Sequence, residues 1–62
     1  MDYKVLVKML REKLVMSQQE FADFLGVSFT SVSRWENGHS VPTFKIKRKL
    51  LQLCEEHGLE ID

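Results

Sequence analysis

Apolar positions in this chain recur at three- and four-residue intervals and rarely alternate with polar ones, so the pattern predicts helices and no strands. Tyr3, Leu6, Val7, Leu10 and Leu14 mark the inward stripe of a first helix over residues 2–14, with Asp2 placed to cap it. Val5 and Met9 widen its apolar surface. A second helix opens on Ser17, whose partner Glu20 three residues on completes a capping box. Met16 and Phe21 stand at the positions of a hydrophobic staple. Phe21, Ala22 and Leu25 face inward, and Gly26 is suited to the left-handed conformation that ends a helix. A third helix starts at once: Ser28 can cap it, Val27 can staple onto Val32, and it runs to Asn37 and stops at Gly38. A fourth follows Pro42, with Thr43 as its cap, Ile46, Leu50, Leu53 and Cys54 inward, and Gly58 at its end. The expected fold is all-α, a single domain over residues 1–62 with four helices and room for a short fifth turn.

At ~100° per residue the third helix divides into two arcs. Ser31, Val32 and Trp35 lie on one, with Glu36 at its edge and Trp35 in the core. Phe29, Thr30, Ser33, Arg34 and Asn37 lie on the other.

Charge changes this picture. The 62-residue chain has zero net charge, which by itself argues against nucleic acid. The average conceals a segregation. Residues 28–49 hold five bases (Arg34, Lys45, Lys47, Arg48, Lys49) against Glu36 alone, a net +4, while residues 50–62 hold four acids and no Lys or Arg. Such a dipolar molecule can turn one end toward a phosphate backbone; the plainer reading is a solvated helix, basic at its start and acidic at its end.

Composition narrows the classes. The length limits the core and argues against a deep substrate cavity, and no apolar run approaches the ~20 residues of a membrane span. The single Cys54 cannot form an internal disulfide. Cys54 and His57 are three apart but have no further ligand nearby in sequence, so a buried thiol and a partly exposed imidazole are expected, with no metal and no cofactor. His39 reads as a solvated loop residue. No nucleophile–base pair, glycine-rich phosphate loop or carboxylate pair marks an enzyme or a small-molecule substrate. Together with the absence of a signal-peptide pattern, these features lead to an expectation of a cytoplasmic protein.

Two short helices joined through a tight glycine turn form a helix-turn-helix, here a core over residues 17–37. The stretch Ser17-Gln-Gln-Glu-Phe-Ala-Asp-Phe-Leu-Gly-Val-Ser, then Val32-Ser-Arg-Trp-Glu-Asn-Gly and Pro42, resembles the Cro/repressor-like, or XRE, helix-turn-helix family. The likeness covers about residues 3–54. It implies a lambda-repressor-like fold and a transcriptional regulator, in first place a repressor, that binds a double-stranded DNA operator. The residues agree with this. A helix entering the major groove must keep one face out of the core and offer short polar groups to base edges, and Thr30, Ser33 and Arg34 do so. By the resemblance, base readout falls to Phe29, Thr30 and Ser33, with Arg34 divided between a guanine and a phosphate. Phe29 reads either as a contact to a thymine methyl or as half of a surface aromatic pair with Phe24.

Other contacts would position the domain without reading sequence. Gln18 stands at the first turn of the second helix, where free N–H groups attract phosphate, and it matches a phosphate contact of the family. Asn37 does too, although closing its helix explains it almost as well. Ser28 joins this phosphate set, and Lys45 and Lys47 either reach the backbone or are simply solvated. Arg11 and Glu36 match a family pair that ties the first helix to the third, a structural role. The family's fifth helix, through which many members dimerise, has only residues 57–62 to represent it. A weak or DNA-assisted homodimer is therefore expected, with Val5, Leu6 and Met9 covered by Leu59 and Ile61 or by a second subunit. The rival function is a protein-interaction module, or an antitoxin-type component, using the same helix-turn-helix surface.

Overall fold

The computed structural model describes residues 2–59. Among them are four helices and no strand: α1 Tyr3–Lys13, α2 Gln18–Leu25, α3 Phe29–Glu36 and α4 Phe44–Glu56. Local sequence accounts for most boundaries. The Asp2 carboxylate accepts from the Lys4 N–H at 3.1 Å and starts α1. At α2 the capping box is complete: Ser17 Oγ accepts from the Glu20 N–H at 3.1 Å, and Glu20 Oε1 accepts from the Ser17 N–H at 2.9 Å. The bonds from Ser17 also hold the exposed Glu20 carboxyl below its ordinary pKa. Gly26 takes φ +74° and turns the chain within two residues, so that Val27 N–H reaches the Ala22 carbonyl at 2.9 Å. Ser28 caps α3 through the Ser31 N–H at 3.1 Å.

Three expectations change in detail. The third helix ends one residue early, at Glu36, with Asn37 in the cap position and Gly38 at φ +76°. Thr43 does occupy the N-cap of α4, but its hydroxyl makes no cap bond; the position starts α4 through backbone conformation alone. Leu6 does not belong with Val5 and Met9, because it is 3% exposed and part of the core, whereas Val5 and Met9 face outward.

The core joins all four helices: Leu6, Val7 and Leu10 of α1; Phe21, Ala22 and Leu25 of α2; Val32 and Trp35 of α3; Ile46, Leu50, Leu53 and Cys54 of α4. Tyr3, Leu14, Met16, Val27 and Leu59 pack at its margin. Leu59 also lines a shallow groove with Val5 and Met9 of α1 but leaves both exposed, so it does not cover them; Ile61 lies outside the described residues. Burial raises the pKa of the Cys54 thiol, which keeps it neutral and unreactive. His57, at the C-cap of the same helix, is exposed. Among the described residues no helix is long and apolar enough to cross a membrane.

The α1–α2 connection holds one strained residue. Val15 lies at φ +56° and is 87% exposed, so a β-branched side chain occupies the left-handed region with no packing to offset it. That conformation costs an L-residue roughly 1–2 kcal/mol, and asparagine tolerates it far better. Val15→Asn should stabilise the domain by about 1 kcal/mol and raise Tm by ~4 °C or more in a thermal melt. An unchanged or lower Tm would show that the turn is not strained.

Candidate nucleic-acid interface

α3 buries Val32 and Trp35 in the core and turns its opposite arc toward solvent. Thr30 and Asn37 point most directly away from the core, flanked by Arg34 on one side and Ser33 and Phe29 on the other. Thr30 and Arg34 are exposed, and among the described residues neither side chain makes a hydrogen bond. Ser33 is half-buried, and its carbonyl and Oγ receive the Asn37 Nδ2 amide at 2.9 and 3.3 Å. The Asn37 amide is thus closing the helix, and only its carbonyl oxygen is uncommitted.

Phe29 is 44% exposed. Of the two readings of Phe29, the surface pair with Phe24 does not form. Phe24 stacks instead on Phe21 of its own helix, with ring centroids 6.4 Å apart and planes at 21°. The reason is geometric: Phe21 and Phe24 are neighbours on one helix surface, whereas Phe29 projects from the next helix beyond the Gly26 turn.

The angle of α3 is fixed from its C-terminal end. Arg11 meets Glu36 through two parallel bonds, Nε to Oε2 at 2.8 Å and a terminal nitrogen to Oε1 at 3.0 Å. Its third nitrogen donates to the Met16 carbonyl at 3.0 Å. Gln18 enters the same cluster, donating its side-chain amide to Glu36 Oε1 at 3.2 Å. The arginine and glutamate side chains retain 16% and 7% of their exposure, and among the described residues no buried side-chain nitrogen or oxygen is left without a partner. Burial opposes ionisation of Glu36. The bonds from Arg11 and Gln18 and the charges of Arg11 and Lys8 outweigh it and hold the carboxyl below its ordinary pKa. The bond to Glu36 raises that of Arg11 in turn, against its own desolvation.

This cluster bears on the phosphate contact expected at Gln18. Its side chain is engaged with Glu36, so what it can offer a phosphate is its backbone N–H at the first turn of α2. No sequence signal pointed to the Gln18–Glu36 bond, because the residues stand on different helices and meet only once the Gly26 turn is made. Ser28 is exposed, with its hydroxyl shared between the Ser31 N–H and the Ser31 hydroxyl at 2.9 Å.

The basic residues of α4 separate likewise. Lys45, Arg48 and Lys49 are exposed. Lys47 instead lies between two rings, its ammonium 5.1 Å from the centre of Tyr3 and 5.5 Å from that of Phe44. This placement ties α4 to the start of α1 and leaves Lys47 less free than Lys45 to reach outward. Among the described residues there is no cluster of three or more side chains suited to a metal ion.

Comparison with known proteins gives one result. A family model described as helix-turn-helix matches residues 7–61, which takes in all of α2, α3 and α4 and most of α1. No curated protein and no solved structure matches the chain.

Proposed function

The chain belongs to the Cro/C1-type helix-turn-helix family of DNA-binding transcription regulators, and from that premise we propose that it is a repressor that reads a double-stranded operator with α3 in the major groove. The observation that carries this is the free arc of α3, polar and uncommitted at Thr30 and Arg34, on a helix whose tilt is locked by the Arg11–Glu36 pair. The major groove is ~12 Å wide and admits one helix. In this reading Thr30, Ser33 and Arg34 meet base edges and Phe29 meets a thymine methyl. The backbone N–H of Gln18, the cap region at Ser28, the Asn37 carbonyl oxygen and Lys45 hold phosphates, with Lys47 a weaker contributor because of its aromatic neighbours. The net +4 of residues 28–49 supplies the sequence-independent attraction. Repression requires only that the bound domain occupy DNA the polymerase needs. Two copies on half-sites ~34 Å apart would raise affinity and impose a two-fold operator.

Selection from a random DNA pool at low salt tests the proposal: a shared motif should emerge, and its binding should weaken steeply as salt rises. No enrichment at low salt would overturn it. The half-exposed Phe24 and Phe29 favour a protein-docking role as the second reading, and binding to a protein partner that salt leaves unchanged would support that instead. On the selected motif, Arg34→Ala should cost ~1–3 kcal/mol in fluorescence anisotropy and relax the preference at one guanine. A loss equal across all sequences, with the salt slope smaller by ~1, would assign Arg34 to the backbone.

A further inference from the structure

Asn37 is the one asparagine in the chain, and the residue after it is Gly38. The pair stands where α3 ends, and both residues are exposed. An asparagine followed by glycine holds an electrophile and a nucleophile side by side: the side-chain amide carbon and the next backbone nitrogen can close a ring. Glycine has no side chain to crowd that approach, and asparagine is among the thermolabile residues. DNA recognition makes no use of this chemistry.

The folded cap holds the reaction back. Asn37 sits at φ −90° and ψ −1°, which turns the Gly38 nitrogen away from the Asn37 side chain. The Asn37 Nδ2 amide donates to the Ser33 carbonyl at 2.9 Å and to Ser33 Oγ at 3.3 Å. The Gly38 N–H donates to the Trp35 carbonyl at 3.2 Å. Ring closure therefore waits on local opening of the last turn. Opening is a small step here. Helix ends fray at little cost, and beyond its chain neighbours a side-chain carbon at Gly38 would meet only Lys4, at 3.5 Å.

We propose that Asn37 is a site of spontaneous deamidation in the folded domain, and that its conversion loosens the end of α3. The Gly38 nitrogen attacks Cγ of Asn37. The N–Cγ bond forms, the Cγ–Nδ2 bond breaks, and ammonia leaves with the Gly38 proton. Water then opens the cyclic imide. Attack of water at Cγ gives aspartate; attack at the main-chain carbonyl gives isoaspartate, whose main chain is one carbon longer. Nothing is oxidised or reduced, and water is the only co-reactant. Either product loses the Nδ2 bonds to Ser33. Either also sets a carboxylate at the C-terminal end of α3, where the helix dipole is already negative. Where the operator reading holds, the same charge faces DNA phosphate and weakens binding, so an older chain is a weaker regulator.

The chemistry is measured without DNA, so its failure and a failure of operator binding are separable. The folded chain is kept warm at mildly alkaline pH and followed by peptide mass spectrometry and by isoaspartyl methyltransferase labelling. Acid should accumulate at position 37, faster as pH rises, and Asn37→Gln should hold the chain unconverted. A peptide of residues 33–41, with no cap to open, should convert at least ~10-fold faster. Asn37→Asp, which carries the new charge without the altered main chain, should lower Tm by ~2–6 °C. The isoaspartate form, separated by ion exchange, should melt lower still. The proposal is overturned by a folded chain that stays unconverted over a period many times longer than the peptide needs. Acid that appears at Gln18, Gln19 or Gln52 instead would overturn it too, as would converted chain that melts with fresh protein.

Discussion

Glu36→Ala should destabilise the domain by about 3 kcal/mol and lower its Tm by ~12 °C or more in a thermal melt. The substitution strands the Arg11 guanidinium, which keeps only 16% of its side-chain exposure and would retain a single bond, to the Met16 carbonyl. It also removes the acceptor of Gln18. Breaking a buried pair from one side costs ~3–5 kcal/mol, and the lower figure suits a site that is not fully sealed. A domain of this size has on the order of 3–9 kcal/mol to lose. Arg11→Ala should behave similarly, destabilising the fold more than it alters operator preference. An Arg11→Ala variant with unchanged Tm and altered operator choice would refute the structural role. The depressed pKa of Glu36 adds a pH signature. A carboxyl with a lowered folded-state pKa stabilises the fold fully above its unfolded value, roughly 4.3, and loses that contribution as pH falls through the folded value. In urea denaturation the advantage of the native chain over Glu36→Gln should be full near neutral pH and shrink below about pH 4. A difference independent of pH would mean that Glu36 acts by shape and not by charge.

Phe21→Ala should be comparably damaging for a different reason. Phe21 has no solvent exposure, heads the inward face of α2 and forms part of the core shared by all four helices. Removing its ring costs ~3–5 kcal/mol in lost burial and residual cavity. It would also strip Phe24 of its stacking partner. Phe24→Ala is the control: a ring 45% exposed should cost well under half as much. Similar denaturation midpoints for the two variants would contradict the assignment of Phe21 to the core and Phe24 to its edge.

What the sequence made legible was whatever short-range chemistry decides. The Ser17–Glu20 box, the Gly26 turn and the Ser28 cap are fixed by residues within a few positions of one another, and each forms. The two arcs of α3 follow from helical periodicity, and Val32 and Trp35 are indeed the residues buried. The remainder depended on residues meeting across the fold. The bond between Gln18 and Glu36 and the seat of Lys47 between Tyr3 and Phe44 are choices among rotamers that only packed neighbours settle. Val15 was silent for another reason: it is neither glycine nor asparagine, so nothing in turn chemistry marks it as left-handed. Thr43 shows the limit of a cap signal, since the residue type was right and the hydroxyl still made no bond.

The clamp on Glu36 has a consequence for how such a domain diversifies. Arg11 and Gln18 grip α3 at its last residue, and Val32 and Trp35 anchor its inner side. Phe29, Thr30 and Arg34, three exposed residues of the outer arc, take no part in either attachment. Their identities can drift, singly or together, while the scaffold that aims them stays the same. If these residues read DNA as proposed, duplicated copies of such a gene could acquire new target sites through a handful of codon changes and keep a folded product at every step.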